Sequence, residues 1–486
     1  MRLKQLINTL HNCTTSTIED FEVRGISCNS SSVSRDFLFV AIKGVKDDGH
    51  RFIKEAIDKG ARAVVSAVSS PVPDSSRNIS WIVAADTRQA LAQLANEFYG
   101  RPSEEIKVVG ITGTNGKTTV SYLLEAMLKE VGVNPAVIGT INYRFNNKIF
   151  DSKNTTPGPL ELQSLLSEMA RENVKYAIME VSSHALDQRR SEGVNFHSAI
   201  FTNVTQDHLD YHGTLEDYFQ AKARLFDGLC EKSFAVINND DHYGRRLRDI
   251  KAEIITYGID AASDVVAKAI TFDIQKTEFT VATHDLQANF KTRLIGRHNV
   301  YNILASVAWA MKEGLRLPAM QSMVEKFQPV PGRLERIEFS GDFAVFVDYA
   351  HTDDALRNVL TALRQVSSGR IIAVFGCGGE RDKDKRPKMG KAVTELADYA
   401  VVTNDNPRSE DPQEIINDIK RGIFKDNYRV ILDRREAIRQ SLTSAKSGDI
   451  VLIAGKGHED YQIFQDRKIH FDDREVAREC LQSLKS

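Results

Sequence analysis

One short stretch constrains the fold more than any other: a glycine-rich loop with an apolar strand before it and an amphipathic helix after it. The apolar run "IKVVGIT" leads into "GITGTNGKTT" at 110–119, and a helical pattern follows. That helix is predicted to carry one apolar stripe, formed by Leu123, Leu124, Met127, Leu128 and Val131. A strand, a loop and a helix in this order form the repeating unit of parallel α/β sheets.

The same loop has the chemistry of a phosphate site. Its glycines let backbone N–H groups approach a phosphate, Lys117 can reach the terminal phosphate, and the Thr118 hydroxyl suits Mg²⁺. The strict P-loop spacing would place a glycine at Ile111, so this loop is a variant. A plain glycine-rich turn is the alternative. The strand–loop–helix context favours binding of ATP or a similar triphosphate.

Short apolar runs alternate with amphipathic helical patterns along most of the chain, which predicts an α/β protein with largely parallel sheets. At 486 residues the chain is long enough for about three domains. The helical pattern "TRQALAQLANEFYGRPS" closes a first unit, and "QPVPGRLERI", with two prolines and a glycine, reads as a second boundary. We therefore predict domains at 1–102, 103–330 and 331–486.

Charge and cysteine content exclude several classes of protein. Lys and Arg number 64 against 66 for Asp and Glu, which argues against a nucleic-acid binder. The five cysteines are scattered without CxxC spacing, as in a reduced protein. The N-terminal segment has no apolar core or cleavage site, and no window approaches the length of a membrane span. We expect a cytoplasmic monomer without membrane or nucleic-acid partners.

Two stretches of the second unit offer metal ligands. Glu180 ends the strand pattern "YAIMEVSSH" and supplies the oxygen chemistry that Mg²⁺ takes, although a polar strand end with a helix cap fits equally. His208 and His212 stand four apart, a spacing that can hold zinc on a helix, but no third zinc ligand follows. One histidine helping to bind a second magnesium is the functional interpretation, and a capping or core histidine is the alternative.

Lys222 has an unexpected position. In "LEDYFQAKARLFDGL" it lies in the middle of the apolar helical face, so its side chain either snorkels to solvent or is buried. Burial would lower its pKa, and the neutral amine could then react with carbon dioxide. The resulting carbamate would serve as a carboxylate-like metal ligand.

The loop "TNDNPRSEDP" at 403–412 combines Asp405, Asn406 and Arg408 around the rigid Pro407. A turn followed by a helix that begins at Asp411 explains the prolines, but it does not explain the arginine. A guanidinium is a planar fork that matches a carboxylate, and Asp405 and Asn406 could meet an ammonium group beside it.

Ten stretches together resemble the Mur ligases, in the branch that adds the third amino acid of the peptidoglycan stem peptide. The resemblance covers essentially the whole chain in the same three-unit order. Its stretches are "GTNGKTT", "NTTP", "MEVSSHAL", "TNVTQDHLDYHG", "GRHNVYNILAS", "PGRLERI", "VDYAHT", "GCGGERDKDKRP", "DNPR" and "AGKGHEDYQ". It implies an N-terminal UDP-binding α/β domain, a central P-loop ATPase-like domain with a parallel sheet, and a C-terminal Rossmann-like domain.

The resemblance also implies a role for individual residues. ATP would be bound by Gly113, Thr114, Asn115, Gly116, Lys117, Thr118, Thr119, Asn299, Arg333 and Asp348. Mg²⁺ would be held by Thr118, Glu180, His208 and Lys222, the last as its carbamate (N6-carboxylysine), and Lys117, Glu180, His208 and Lys222 would form the catalytic set. UDP-MurNAc-dipeptide would be bound by Cys28, Ser30, Val45, Lys46, Asp47, Asn154, Thr155, Thr156, Ser182, Gln188 and Arg190. meso-Diaminopimelate would be bound by Arg381, Asp405, Asn406, Pro407, Arg408, Gly455 and Glu459.

The implied reaction is ATP-dependent addition of meso-diaminopimelate to the D-glutamate γ-carboxylate through an acyl phosphate, as a step of peptidoglycan synthesis. Two alternatives have similar central units: a lysine-adding ligase, against which Arg408 argues, and a folylpolyglutamate-type ligase, against which the UDP-site pattern argues. A regulatory protein without catalysis is a third. The chain departs from the family at "NSSS" (29–32), which stands for Asp-Ser-Arg, and at "HTDDAL", where Asp353 is predicted to begin a helix.

Overall fold

The computed structural model describes residues 1–15, 18–44, 47–69, 79–465 and 467–484. These residues form three main sheets that follow one another along the chain. Helices cover both faces of each sheet, because every sheet contributes side chains to two separate apolar clusters. The α/β class predicted from the alternating pattern is confirmed. Among the described residues, no helix has the length and apolar character needed to cross a membrane.

The first sheet has the strand order β1-β5-β4-β3-β2, and β2 to β5 run parallel. β1 is the exception, since it pairs antiparallel with β5. The strands are β1 (Cys13–Thr15), β2 (Gly25–Ser27), β3 (Phe37–Val40), β4 (Ala61–Ser66) and β5 (Ser80–Ala84), and the helices are α1 (Leu3–Ile7), α2 (Ile53–Asp58) and α3 (Thr87–Phe98).

The central sheet has the order β16-β15-β14-β13-β12-β11-β6-β10-β7-β8-β9. Its middle, from β14 to β7, is parallel, and antiparallel strands extend it at both edges. The strands are β6 (Lys107–Thr112), β7 (Ala136–Ile138), β8 (Asn142–Phe145), β9 (Lys148–Asp151), β10 (Tyr176–Glu180), β11 (Phe196–Phe201), β12 (Phe234–Asn238), β13 (Glu253–Gly258), β14 (Val265–Phe272), β15 (Thr277–Ala282) and β16 (Gln287–Thr292). The helices are α4 (Lys117–Glu130), α5 (Pro159–Arg171), α6 (Ser183–Asp187), α7 (Leu209–His212), α8 (Leu215–Asp227), α9 (Arg297–Lys312) and α10 (Leu317–Lys326).

The third sheet has the order β17-β18-β22-β19-β20-β21, parallel except for the short β17. A separate hairpin, β23 with β24, follows it. The strands are β17 (Glu335–Arg336), β18 (Ala344–Asp348), β19 (Ile371–Phe375), β20 (Tyr399–Val402), β21 (Tyr428–Val430), β22 (Ile450–Ala454), β23 (Tyr461–Phe464) and β24 (Arg467–His470). The helices are α11 (Asp353–Val366), α12 (Lys385–Leu396), α13 (Pro412–Lys420), α14 (Arg434–Ser444) and α15 (Asp473–Ser483).

Several local predictions can be compared with the elements. The predicted stripe of α4 is buried at four of its five positions, but Val131 lies past the end of the helix and is 44% exposed, so its assignment was wrong. Asp353 begins α11, as predicted. Asp411 caps α13 by accepting from the N–H of Gln413, also as predicted. The domain boundaries at 102 and 330 remain predictions.

Candidate active site

The phosphate loop joins the end of β6 to the start of α4, and only glycine fits two of its positions. Gly113 and Gly116 have φ of 151° and 91°. A Cβ on Gly113 would lie 1.8 Å from Oγ1 of Thr202, and one on Gly116 would lie 2.4 Å from Oδ1 of Asn302. The loop is therefore fixed in a form that leaves the first N–H groups of α4 without helical partners, which suits an anion.

Lys117 folds back over this loop. Its Nζ donates to the carbonyl oxygens of Gly113 and Thr114, each at 2.8 Å. Desolvation lowers the pKa of the Lys117 amine. The lysine predicted to reach a terminal phosphate thus lies at the loop, held by neutral carbonyls that a phosphate group can replace.

Glu180 is held by hydroxyl groups from two loops. Oγ1 of Thr118 and Oγ1 of Thr140 each donate to its Oε2 at 2.9 Å, and the N–H of Thr140 donates to its Oε1 at 3.1 Å. Nη2 of Arg333 donates to the Thr118 hydroxyl at 3.2 Å, so the segment that leads into the third sheet reaches this group. Thr118 and Glu180 together present oxygen atoms beside the phosphate loop, which is the donor chemistry that Mg²⁺ prefers.

Lys222 is buried on α8, which settles the choice between burial and snorkelling. The residue is 1% exposed, its Nζ donates to the carbonyl oxygen of Gly113 at 2.9 Å, and the same Nζ lies 4.3 Å from the centre of the Tyr218 ring. Burial, and then the charge of Lys117, hold the pKa of the Lys222 amine well below its usual range. The geometry brings a reactive amine to the loop where the metal is predicted.

The two histidines of "DHLDYHG" have different surroundings. His208 precedes α7 with φ of 55°, and its side chain is 46% exposed, with Nε2 at 3.3 Å from Oδ2 of Asp207. His212 shares a hydrogen bond of 2.9 Å with Oγ of Ser183. The His208 ring packs edge-on against His184, 4.8 Å between centres. Within the part of the chain that the structure describes, no three His, Cys, Asp or Glu side chains are grouped to hold a metal, and the roles predicted for the two histidines remain predictions.

The predicted dipeptide-binding residues of the central unit meet at the main chain of Glu180. Oγ1 of Thr156 donates to the Glu180 carbonyl oxygen at 2.9 Å and accepts from the N–H of Ser182 at 3.0 Å. Nη1 of Arg190 donates to the Thr156 carbonyl oxygen at 3.1 Å, and its Nη2 donates to Oε1 of Gln188 at 2.8 Å.

The preceding residues join the same group. Oγ1 of Thr155 lies 3.1 Å from Oγ1 of Thr140, and the Asn154 carbonyl oxygen accepts from the Tyr143 hydroxyl. The phosphate loop and this second loop therefore share one strand end.

Arg88 is a residue that sequence reasoning missed. It donates from Nη2 to the carbonyl oxygen of Lys43 at 2.9 Å. Burial lowers the pKa of the Arg190 guanidinium, and the positive charge of Arg88 lowers it further. Neither arginine forms an ion pair within the described ranges, so both side chains keep positive charge that an anionic ligand can meet.

The first unit contains the remaining residues predicted to bind UDP-MurNAc-dipeptide: Cys28, Ser30, Val45, Lys46 and Asp47. The Cys28 side chain is exposed, and Oγ of Ser30 donates to Oε2 of Glu55 at 2.8 Å. The Asp47 carbonyl oxygen accepts from the N–H of Gly44. Val45 and Lys46 lie outside the described residues.

In the third unit, Arg408 stands at the end of the loop after β20. It has φ of 54°, and its N–H donates to the carbonyl oxygen of Ile463 at 3.0 Å. Its Nη1 donates to the Gly379 carbonyl oxygen at 2.6 Å. No carboxylate pairs with it among the residues described. The exposed Arg381 flanks the same backbone, since a Cβ on Gly378 would lie 3.0 Å from Nη1 of Arg408 and 3.7 Å from Cγ of Arg381.

Asn406 is already occupied by internal hydrogen bonds. Its Nδ2 donates to Oε2 of Glu459 at 2.9 Å, and its Oδ1 accepts from Nζ of Lys456 at 3.2 Å and from the N–H of Ile463 at 3.1 Å. These bonds fix the amide against Glu459, Lys456 and Ile463, and its predicted contact with the amino acid remains a prediction. Lys456, 0% exposed, was not singled out from the sequence. Its signal was its place in "AGKGHED", next to Glu459.

Gly455 and Asp405 are packed closely against each other. A Cβ on Gly455, which has φ of 118°, would lie 2.8 Å from Oδ2 of Asp405. The Asp405 carbonyl oxygen accepts from Nε2 of Gln462 at 2.9 Å. Pro407 is buried in the same loop.

Asn299 and Asp348 anchor the backbone around the nucleotide loop. Nδ2 of Asn299 donates to the Ile295 carbonyl oxygen at 2.9 Å, and its Oδ1 accepts from Nδ2 of Asn302. Asp348 accepts from the N–H of Leu334 at 2.6 Å, next to Arg333. Asn302, under Gly116, is a third residue that the sequence did not single out.

Comparison with known proteins identifies the family of the chain. Three family models match: the Mur ligase catalytic domain at 22–99, the Mur ligase middle domain at 111–310, and the Mur ligase glutamate ligase domain at 332–457. The chain is 42% identical over 489 aligned positions to UDP-N-acetylmuramoyl-L-alanyl-D-glutamate–2,6-diaminopimelate ligase from Clostridium tetani, covering 100% of both chains.

Solved structures agree. A structure of a UDP-N-acetylmuramoyl-L-alanyl-D-glutamate–2,6-diaminopimelate ligase matches with a TM-score of 0.68 and 34% identity, covering 95% of each chain. MurF ligase from Thermotoga maritima in complex with ADP shares the fold, with a TM-score of 0.61, 21% identity and coverage of 95% of this chain and 97% of that one. The family models and the full-length relative together establish that the chain belongs to the Mur ligase family.

Proposed function

We propose that the protein joins meso-diaminopimelate to the D-glutamate γ-carboxylate of UDP-MurNAc-L-Ala-D-Glu, with ATP as co-substrate. One observation carries the proposal: the Glu180 side chain meets Thr118 of the phosphate loop, while its carbonyl oxygen meets Thr156 of the dipeptide loop. A phosphoryl donor in the first loop and a carboxylate acceptor in the second are then neighbours. Holding reactants in this way is most of what phosphoryl transfer asks of a protein.

The reaction has two balanced steps. An oxygen of the γ-carboxylate attacks the terminal phosphorus of ATP, the bond to ADP breaks, and an acyl phosphate forms. An amine of diaminopimelate then attacks the acyl carbon, the carbon–oxygen bond to phosphate breaks, and the nitrogen loses a proton as the amide forms. Lys117 neutralises charge on the transferred group, and the closed units exclude water that would hydrolyse the acyl phosphate.

Mg²⁺ fits the residues beside the loop. The Thr118 hydroxyl, the Glu180 carboxylate and the His208 imidazole would hold it, together with Lys222 as a carbamate. The buried, desolvated Lys222 amine supports carbamylation, because a neutral amine is the form that reacts with carbon dioxide. When bound, the metal supplies positive charge that stabilises the phosphate oxygens.

Arg408 provides the selectivity for the amino acid. Its guanidinium has one carbonyl partner and no carboxylate partner within the described chain, so it can bind the distal carboxylate of diaminopimelate. Lysine lacks that carboxylate and would leave the guanidinium unsatisfied, which argues against the lysine-adding alternative. Arg88 and Arg190 offer positive charge for the phosphates of the nucleotide sugar, and the UDP-site pattern of the first unit argues against a folylpolyglutamate-type ligase.

The experiment is an amino-acid panel. Purified protein is incubated with ATP, Mg²⁺ and UDP-MurNAc-L-Ala-D-Glu, and phosphate release is followed with meso-diaminopimelate, L-lysine or no amino acid. Release that requires both the dipeptide and diaminopimelate is the expected result. Phosphate release with lysine but not with diaminopimelate would replace the proposal with the lysine-adding reaction. No phosphate release under any condition would favour a regulatory nucleotide-binding protein.

A further inference from the structure

One carboxylate of the third unit makes two hydrogen bonds to the central unit. Oδ2 of Asp354 accepts from Nδ2 of Asn115 at 3.0 Å and from Oγ1 of Thr205 at 2.9 Å. Asn115 belongs to the phosphate loop, whereas Asp354 lies in the first turn of α11, 239 residues further along the chain. The contact therefore joins the nucleotide site to the unit that holds the predicted amino-acid pocket.

Both donors are themselves fixed to the loop. The N–H of Asn115 donates to Oδ1 of Asn203, and its carbonyl oxygen accepts from Oγ1 of Thr202, so its main chain is fixed within the central unit. Only its side-chain amide reaches across to Asp354.

Thr205 is tied in as well, since its N–H donates to Oγ1 of Thr114 in the same loop at 3.0 Å. Asp354 is thus linked to the phosphate loop directly through Asn115 and indirectly through Thr205.

On the other side, α11 is fixed to the third sheet. Its residues Leu356, Leu360 and Leu363 are fully buried in the apolar cluster of that sheet. A shift of Asp354 away from the loop therefore requires the third unit to move with it, or α11 to lose its packing. A negative group this close to a phosphate site is also unfavourable unless donors compensate it, and Asn115 and Thr205 do so.

We propose that Asp354 is a positioning residue that docks the third unit onto the phosphate loop through Asn115 and Thr205, so that nucleotide binding and the placement of the amino-acid pocket are coupled. The proposal rests on the ligase function above. Coupling of this kind is reciprocal: if docking favours the nucleotide-binding form of the loop, nucleotide favours docking. Loss of these two hydrogen bonds lowers the fraction of molecules in which the third unit is docked. The apparent affinity for ATP then falls, whereas saturating substrates restore docking.

The test compares three variants. Asp354→Ala removes both hydrogen bonds to the central unit, together with the one that Nδ2 of Asn358 donates within α11, and Asp354→Asn keeps an oxygen acceptor without the charge. Asp353→Ala is the matched control, because it also removes an acidic group from the first turn of α11, but its carboxylate has no hydrogen-bond partner within the described ranges. We expect Asp354→Ala to raise the KM for ATP about tenfold with kcat within about twofold. Asp354→Asn should recover most of the loss, and Asp353→Ala should match wild type.

Hydrogen exchange of the protein without substrates gives a readout that does not depend on ligation. Asp354→Ala should speed exchange in the segments that contain Asn115 and the start of α11, and Asp353→Ala should not. If Asp354→Ala leaves both the exchange and the KM unchanged, the proposal is overturned. It is equally overturned if Asp354→Asn is as impaired as Asp354→Ala, since charge and not hydrogen bonding would then be the cause.

A second variant covers the case in which Asp354→Ala does not fold. Thr205→Val removes one of the two donors, and it should raise the KM for ATP by about threefold and speed exchange in the same segments. No change in the KM for ATP or in hydrogen exchange would reject the proposed docking role of Asp354. Should wild-type protein form no product, the ligase proposal fails, but the exchange measurement still decides whether Asp354 docks the two units.

Discussion

Nζ of Lys222 donates to the carbonyl oxygen of Gly113 at 2.9 Å, joining α8 to the phosphate loop across 109 residues of sequence. Lys222→Met keeps the length and apolar stem of this buried side chain, so the fold should persist. We expect turnover to fall by about tenfold to 100-fold, because the proposed metal ligand is lost. Depleting carbon dioxide should lower wild-type activity but not the residual activity of the variant. Equal sensitivity of both to carbon dioxide would contradict carbamylation.

Selection of the amino acid is tested at Arg408, with phosphate release measured against diaminopimelate and lysine in competition. Arg408→Ala should raise the KM for diaminopimelate about tenfold to 100-fold and reduce the preference over lysine. The position has a left-handed φ of 54°, so alanine also carries a backbone cost.

Arg408→Lys is the matched control, because lysine bears the same backbone cost but keeps a point charge without the planar fork. It should fall between wild type and Arg408→Ala. An unchanged preference in Arg408→Ala would refute the role of this guanidinium.

Lys456 should matter for the amino acid and not for ATP. Its buried Nζ lies 3.2 Å from Oδ1 of Asn406 and 3.5 Å from Oε2 of Glu459. Lys456→Met releases both, so the KM for diaminopimelate should rise about tenfold while the KM for ATP stays constant. Lys468→Met is the control, since Lys468 contacts the same Tyr461 ring from an exposed position. Equal effects on both substrates would indicate general loss of packing.

Acid stability is tested at Glu313, whose side chain is 6% exposed. Burial opposes ionisation, but hydrogen bonds from His197, Lys107 and Tyr176 outweigh it and lower the pKa of Glu313 from 4.5 to about 2. A carboxylate with a depressed folded pKa stabilises the protein fully above its unfolded value, and this contribution is lost as pH falls from about 4.5 toward 2. Its upper limit at neutral pH is about 3 kcal/mol.

Glu313→Gln removes this dependence while keeping the shape. The denaturation midpoint of the variant should lie below that of wild type at pH 7, and the gap should shrink by about half at pH 3. The exposed Glu253→Gln, which loses only a surface pair with Lys312, should show little effect at either pH. A gap that is constant with pH would rule out Glu313 ionisation as its source.

The phosphate loop and Lys222 could be recognised from the sequence because both break a local pattern. The loop places glycines between a strand and a helix, and Lys222 places a charge on an apolar face. Lys456 and Asp354 break no local pattern. Lys456 lies between two glycines in a polar loop. Its burial depends on Asn406, which is distant in the chain, and on Tyr461, which follows a turn. Asp354 reads only as a helix start, and its partners come from another unit. Val131 was misassigned because α4 ends one residue before it.

The carboxylate of Glu180 accepts a hydrogen bond from the Thr118 hydroxyl, and its carbonyl oxygen accepts one from the Thr156 hydroxyl. In the proposed reaction, this single residue at the tip of β10 would set the spacing between the donor phosphate and the acceptor carboxylate. A shift of the β10 tip would therefore displace both loops together.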